Sequence, residues 1–179
     1  EEISESLETP SDHIHDLFAE SYWGDHPLGR TILGEPDVIT NMPRSKILKY
    51  VKNNYRNESI VVAASGSISH KKLVKLVKEK FNFEYGAADK FSYADRVNNK
   101  RLKIVQNKNQ QIHLCFGFPG LSYTSEDKLT AFTAHAYLGG GMSSALFQKI
   151  REEKGLAYTV YTFLDLYHDA GIFGGYLAT

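Results

Sequence analysis

Ile112-His113-Leu114-Cys115-Phe116-Gly117-Phe118 is the stretch on which the fold class turns. Its large apolar residues fall at every second position, the period of a strand with one buried face. Ile112, Leu114, Phe116 and Phe118 are expected inward, with His113 and Cys115 on the other face. Just downstream, Thr124 and Asp127 have the spacing of a capping box. They predict a helix carrying Leu129, Phe132, Ala136 and Tyr137. Gly139-Gly140-Gly141 ends it, with positive φ expected at these glycines. A second helix follows, holding Leu146, Phe147 and Ile150. Two β-rich segments, 157–164 and 171–178, read as a hairpin joined through residues 165–170. Upstream, Leu102, Ile104 and Gln106 alternate in the same way. Strands and helices mixed without strict βαβ alternation predict an α+β unit, with helices packed on one face of a largely antiparallel sheet.

The other half of the chain reads differently. Ile3 and Leu7 are four apart and suit the end of a helix. Thr9-Pro10-Ser11-Asp12 breaks it and starts another, which runs to about Trp23 with Ile14, Leu17, Phe18 and Tyr22 on one face. Gly24 to Gly34 is loop. Short helices are expected after Pro36 and after Pro43. Ser59-Ile60-Val61-Val62-Ala63-Ala64-Ser65 is an apolar run of strand length and predicts a buried strand. Ser69 caps a helix with Leu73, Val74, Leu76, Val77 and Phe81 inward and five lysines mostly outward. Residues 82–100 are polar and irregular, the best candidate for a linker.

Composition narrows the function. The 179 residues carry 21 Lys and Arg against 21 Asp and Glu, so the net charge is zero. That excludes a strongly basic nucleic-acid coat, and the lysines after Ser69 read as a solvated helix face. No apolar run approaches the roughly 18 residues of a membrane helix. Cys115, the single cysteine, excludes an intrachain disulfide and a multi-cysteine metal cluster. It suits a reducing compartment: the cytoplasm, or the mitochondrial matrix in a eukaryote. The first residue is not methionine, and Leu177-Ala178-Thr179 stops within a strand pattern, so a piece of a longer protein is expected.

Few residues suggest chemistry on their own. His13 and His15 stand two apart on a helix, about 200° around its axis, and cannot clamp one ion from one face. His26, in its loop, is expected to pin that loop by a hydrogen bond, with a catalytic role as the alternative. The remaining histidines read as isolated. Gly139–Ser144 lacks the Gly-Lys-Ser/Thr ending of a phosphate loop. Glu1 and Glu2 are solvated charges on sequence statistics. Arg151 and Tyr158 bracket Glu152-Glu153-Lys154-Gly155-Leu156-Ala157. A helix ending at the arginine, a turn at Gly155 and a strand entered at the tyrosine bring guanidinium and phenol together. Both groups can donate to a carbonyl oxygen.

In order and spacing, a set of motifs resembles the M16 (pitrilysin/insulinase) zinc metallopeptidases, particularly the group similar to mitochondrial processing peptidase. They are Glu1-Glu2-Ile3, then Thr9-Pro10 with Asp12 and His15-Asp16-Leu17-Phe18, then Trp23 through Arg30 and Leu33-Gly34. Ala63-Ala64-Ser65-Gly66, Leu138 through Ser144, Leu146-Phe147-Gln148 and Arg151 through Tyr158 complete the set. The resemblance covers essentially the whole chain.

It implies a zinc-dependent endopeptidase acting on peptides or presequence-like segments. In that family a His-x-x-Glu-His motif supplies two zinc ligands and the general base. No such motif occurs in these 179 residues. It is expected upstream, so no catalytic residue is expected within the chain, which is expected to be inactive alone. By the resemblance Glu2 matches the third zinc ligand, and Arg151 and Tyr158 match a pair that binds the substrate backbone. Ala145 departs from the basic residue common after the two serines. The implied organisation is 1–90 as the latter part of a first family unit, on the peptidase side. Residues 101–179 are then the beginning of a second, substrate-binding unit. The implied partners are a peptide substrate and a homodimer or an intrachain domain pair, with no nucleic acid and no membrane. The alternative is a non-catalytic scaffold or partner subunit.

Overall fold

The structure, a computed structural model, describes residues 1–81, 102–108 and 110–179. The linker expected over 82–100 lies outside the described residues. Contacts divide the chain into two compact units, residues 1–35 with 93–179, and residues 36–92.

The first unit is built on three antiparallel strands, β1 (His113–Pro119), β2 (Thr159–Leu166) and β3 (Gly171–Ala178), in the order β1-β3-β2. Cys115 and Tyr161 both pair with Tyr176, which sets the register across the sheet. The expected hairpin is present as β2–β3. The α+β class and the antiparallel pairing agree with the sequence reading, but the helices take both faces of the sheet. Helices α1 (Glu2–Glu8) and α2 (Pro10–Trp23) meet at Thr9, whose hydroxyl donates to the Glu5 carbonyl at 2.8 Å. Pro10 opens α2, where its missing N–H costs nothing. On one face of the sheet, α2 lays Phe18 edge-on against Phe163, with ring centroids 5.6 Å apart. Tyr22, Trp23 and Ile172 form the buried core beside it.

Helix α6 (Lys128–Gly139) covers β2 on the other face. It starts later than the capping box implied, and Thr124 instead donates to the His168 carbonyl at 3.2 Å. Gly140 closes α6 with a φ of −80°, and positive φ occurs at Gly24, Gly34, Gly66 and Gly155 rather than in the 139–141 run. Gly139 is required for another reason. A Cβ there would sit 2.7 Å from Thr162 Oγ1 and against its backbone nitrogen, so the glycine is what lets helix and strand touch.

The alternation of β1 is as expected, but the covered face is the opposite one. His113, Cys115 and Gly117 are half-buried towards α2, whereas Leu114, Phe116 and Phe118 are 46%, 42% and 62% exposed. A period of two marks two faces without saying which one a helix will cover. Gly117 decides it, because a Cβ there would meet the Phe18 ring.

The second unit holds α3 (Pro36–Thr40), α4 (Arg44–Asn54) and α5 (His70–Lys80). All three begin where the sequence placed them, and the Ser69 hydroxyl accepts from the Lys72 N–H at 3.4 Å. Two expected strands do not form. Residues 60–65 carry no ladder and leave Val61 92% exposed, and residues 102–106 leave Leu102 and Ile104 75% and 77% exposed. An extended apolar run becomes a strand only when a neighbour takes its N–H and C=O groups. Among the described residues neither run has such a neighbour.

Candidate functional site

Two groupings of side chains in the first unit bear on function. The first is a corner between helix and strand. Residues Phe147–Glu153 form a π-helix, a geometry that recurs at functional sites. The Leu156 N–H closes it by donating to the Ile150 carbonyl at 2.9 Å. Gly155, at a φ of +59°, then reverses the chain, and the Tyr158 N–H donates to the Ala178 carbonyl at 3.0 Å. The result places the Arg151 guanidinium 4.5 Å from the Tyr158 ring centroid and 4.8 Å from that of Phe147. Glu152 lies 3.6 Å from Arg151 Nε. Tyr158 is 71% exposed, with the guanidinium over its ring. Stacking restricts a long side chain that would otherwise be mobile. The corner therefore presents ordered N–H and O–H donors suited to a peptide carbonyl.

Glu2 sits elsewhere, exposed in the first turn of α1. A catalytic zinc takes three protein ligands plus water. Among the described residues no group of three or more His, Cys, Asp or Glu side chains could hold a metal ion. The residues present therefore do not fit a complete zinc site, and Glu2 offers a single carboxylate.

The second grouping was not legible in the sequence. His15 of α2 shares a hydrogen bond with the Tyr161 hydroxyl, Nε2 to Oη 2.9 Å. Its ring stacks on Tyr176, with centroids 5.5 Å apart, and meets Phe163 edge-on at 5.4 Å. Nδ1 lies 3.7 Å from Cys115 Sγ. One imidazole thus touches all three strands. Next to it, His113 Nδ1 shares a 2.8 Å hydrogen bond with the Tyr176 hydroxyl.

Burial lowers the His15 pKa below its usual 6.5, against the opposing pull of Asp165, Asp12 and Asp16. Burial, aided by the Asp165 charge, pushes the Cys115 thiol up to about 12. Burial likewise raises Tyr161 and Tyr176. The cluster is thus neutral near pH 7: a thiol, a neutral imidazole and phenols. A protonated thiol can donate to Nδ1, leaving Nε2–H for the Tyr161 oxygen. Cys115 lacks the electropositive surroundings of a reactive thiolate.

Two other histidines hold local structure. His26 Nδ1 accepts from the Leu28 N–H at 3.2 Å and pins the loop as expected. His135 shares a 2.8 Å bond with the Thr162 hydroxyl and helps seat α6 on β2.

Residues 41–179 match the family described as the peptidase M16 inactive domain. The chain belongs to the M16 peptidase family. An uncharacterized zinc protease of Streptomyces coelicolor is 36% identical, covering 98% of this chain and 40% of that protein. Another, YmxG of Bacillus subtilis, is 35% identical over 98% of this chain and 43% of its own length. This M16 chain thus spans about two fifths of the curated relatives it matches. Among solved structures, an M16 inactive domain from Pseudomonas fluorescens superposes with a TM-score of 0.84 at 19% identity, covering 98% of this chain and 43% of that one. That likeness confirms the fold. No helix among the described residues of this M16 chain is long and apolar enough to cross a membrane.

Proposed function

We propose that this M16 chain is the substrate-gripping part of a longer zinc-dependent endopeptidase acting on peptides or presequence-like segments. The observation that carries the reading is the Arg151–Tyr158 corner, the guanidinium stacked on a tyrosine that is largely exposed. A main-chain carbonyl beside the guanidinium and phenol is polarised and held in place, which is how fixed donors lower the barrier to attack on that carbonyl. In this reading Glu2 contributes one zinc ligand, and the rest of the site comes from residues outside this chain. Residues 1–90 and 101–179 then belong to two successive family units, paired within one chain or across a homodimer. The chain alone has no hydrolytic activity.

The test uses the full-length protein. Arg151→Ala and Tyr158→Phe each raise KM for a peptide substrate by about tenfold, the loss of one strong hydrogen bond. Glu2→Gln lowers bound zinc. Wild-type KM in both corner variants would remove the gripping role, and unchanged zinc in Glu2→Gln would remove the ligand.

A second reading is a non-catalytic scaffold or partner subunit. The match to a domain described as inactive supports it. It predicts that the full-length protein, supplied with zinc, cleaves no peptide.

A further inference from the structure

The Arg151–Tyr158 corner and Glu2 lie in one compact unit but on separate elements, joined by α2 and the sheet. Beside it, α2 meets the strands through the Phe18 ring, edge-on against Phe163, an apolar contact without a hydrogen bond. His15 differs, because its hydrogen bond to Tyr161 has one acceptable length and direction. Tyr161 is three residues beyond Tyr158 in the chain. Both are tied to β3, Tyr158 through the Ala178 carbonyl and Tyr161 through its pairing with Tyr176. On the other side, the Thr9 hydroxyl fastens the end of α1 at the start of α2. A continuous set of contacts therefore runs from the corner through Tyr161 and His15 to α2, which packs against the helix that carries Glu2.

We infer that His15 is a positioning residue, holding the α1–α2 pair and its Glu2 carboxylate in one placement against the strand that presents Tyr158. The inference rests on the peptidase reading above. It assigns a role to a histidine that touches neither the corner nor Glu2. A change at His15 leaves Arg151 stacked on Tyr158, since that corner is closed by its own π-helix and Gly155 turn. Substrate is then still gripped, but the Glu2 side of the site shifts relative to it. Misplacement of about 1 Å costs up to about 100-fold in turnover.

The experiment compares full-length wild type with His15→Leu, His15→Gln and Tyr161→Phe. His15→Leu and Tyr161→Phe lower kcat at least about tenfold with KM within about twofold. His15→Gln, whose amide can reach the Tyr161 oxygen, recovers to within about threefold of wild type. Hydrogen exchange in α1 quickens in His15→Leu while β2 and β3 stay protected. Tyr161→Phe removes a single oxygen and keeps the test open should His15→Leu fail to fold. Folded His15→Leu and Tyr161→Phe variants with wild-type kcat, or with KM rising at constant kcat, overturn the inference and leave the peptidase reading standing. A wild-type protein that cleaves no peptide removes that reading, and this inference with it.

Discussion

Replacing Gly139 by alanine sets two physical effects against each other. Helix propensity alone favours alanine by up to about 1 kcal/mol. Packing says the reverse. Gly139 is buried and ends α6 over Thr162, which is 5% exposed. The new methyl would lie 2.7 Å from Thr162 Oγ1 and 2.9 Å from its Cγ2. Thr162 cannot retreat, because its strand is hydrogen-bonded to β3 through Gly175. Helix α6 must lift instead. That costs about 1–3 kcal/mol of overpacking and weakens the 2.8 Å His135–Thr162 hydrogen bond, a further ~1 kcal/mol. The net expectation is a loss of about 1–3 kcal/mol. At about 2–4 °C per kcal/mol for a domain of this size, the melting temperature falls by roughly 2–12 °C. Thermal unfolding of the full-length protein, with and without the substitution, measures this directly. An unchanged or higher melting temperature would mean that α6 does not press on β2 as described.

Two further outcomes follow from the buried cluster. His15 has a lowered pKa in the folded state, so between that value and 6.5 the unfolded chain binds more protons. Stability is therefore full above about pH 7 and declines as the pH falls through the folded pKa. Denaturant titrations of wild type between pH 7 and 5 show this decline, and His15→Gln flattens it; an equal decline in both assigns it to other groups. Cys115, with its thiol pushed up to about 12, stays unalkylated by iodoacetamide at pH 8 in the folded protein and reacts at the rate of unfolding. Alkylation at the rate of a free thiol under native conditions would contradict the burial.

The local features were legible in advance where local physics decides them. Ser69 caps α5, Pro10 opens α2, Gly155 turns the chain, and β2 and β3 pair as a hairpin. Each depends on a few adjacent residues. The Arg151–Tyr158 contact was readable for the same reason, since a helix end, one glycine and a strand start lie within eight residues. Some local expectations failed too, the Thr124–Asp127 capping box among them, but most failures are of another kind. Residues 59–65 had strand composition and no partner among the described residues. Leu114, Phe116 and Phe118 alternated as expected but were left on the less covered face, because Gly117 admits Phe18 on the other. The glycine run was expected to supply positive φ, and Gly139 proved instead to be a point of contact with a strand distant in sequence.

His15 shows the division most clearly. Its place on a helix face, in step with Phe18 and Tyr22, follows from the order of residues and the 3.6-residue turn. That it would meet Tyr161, Tyr176 and Cys115, each at least 100 positions away, follows from nothing nearby in the chain. Such contacts depend on which surfaces find each other as water is expelled, and that choice belongs to all the packed elements together. Periodicity and turn chemistry are local and can be read along a line; partnership and burial are properties of the folded volume.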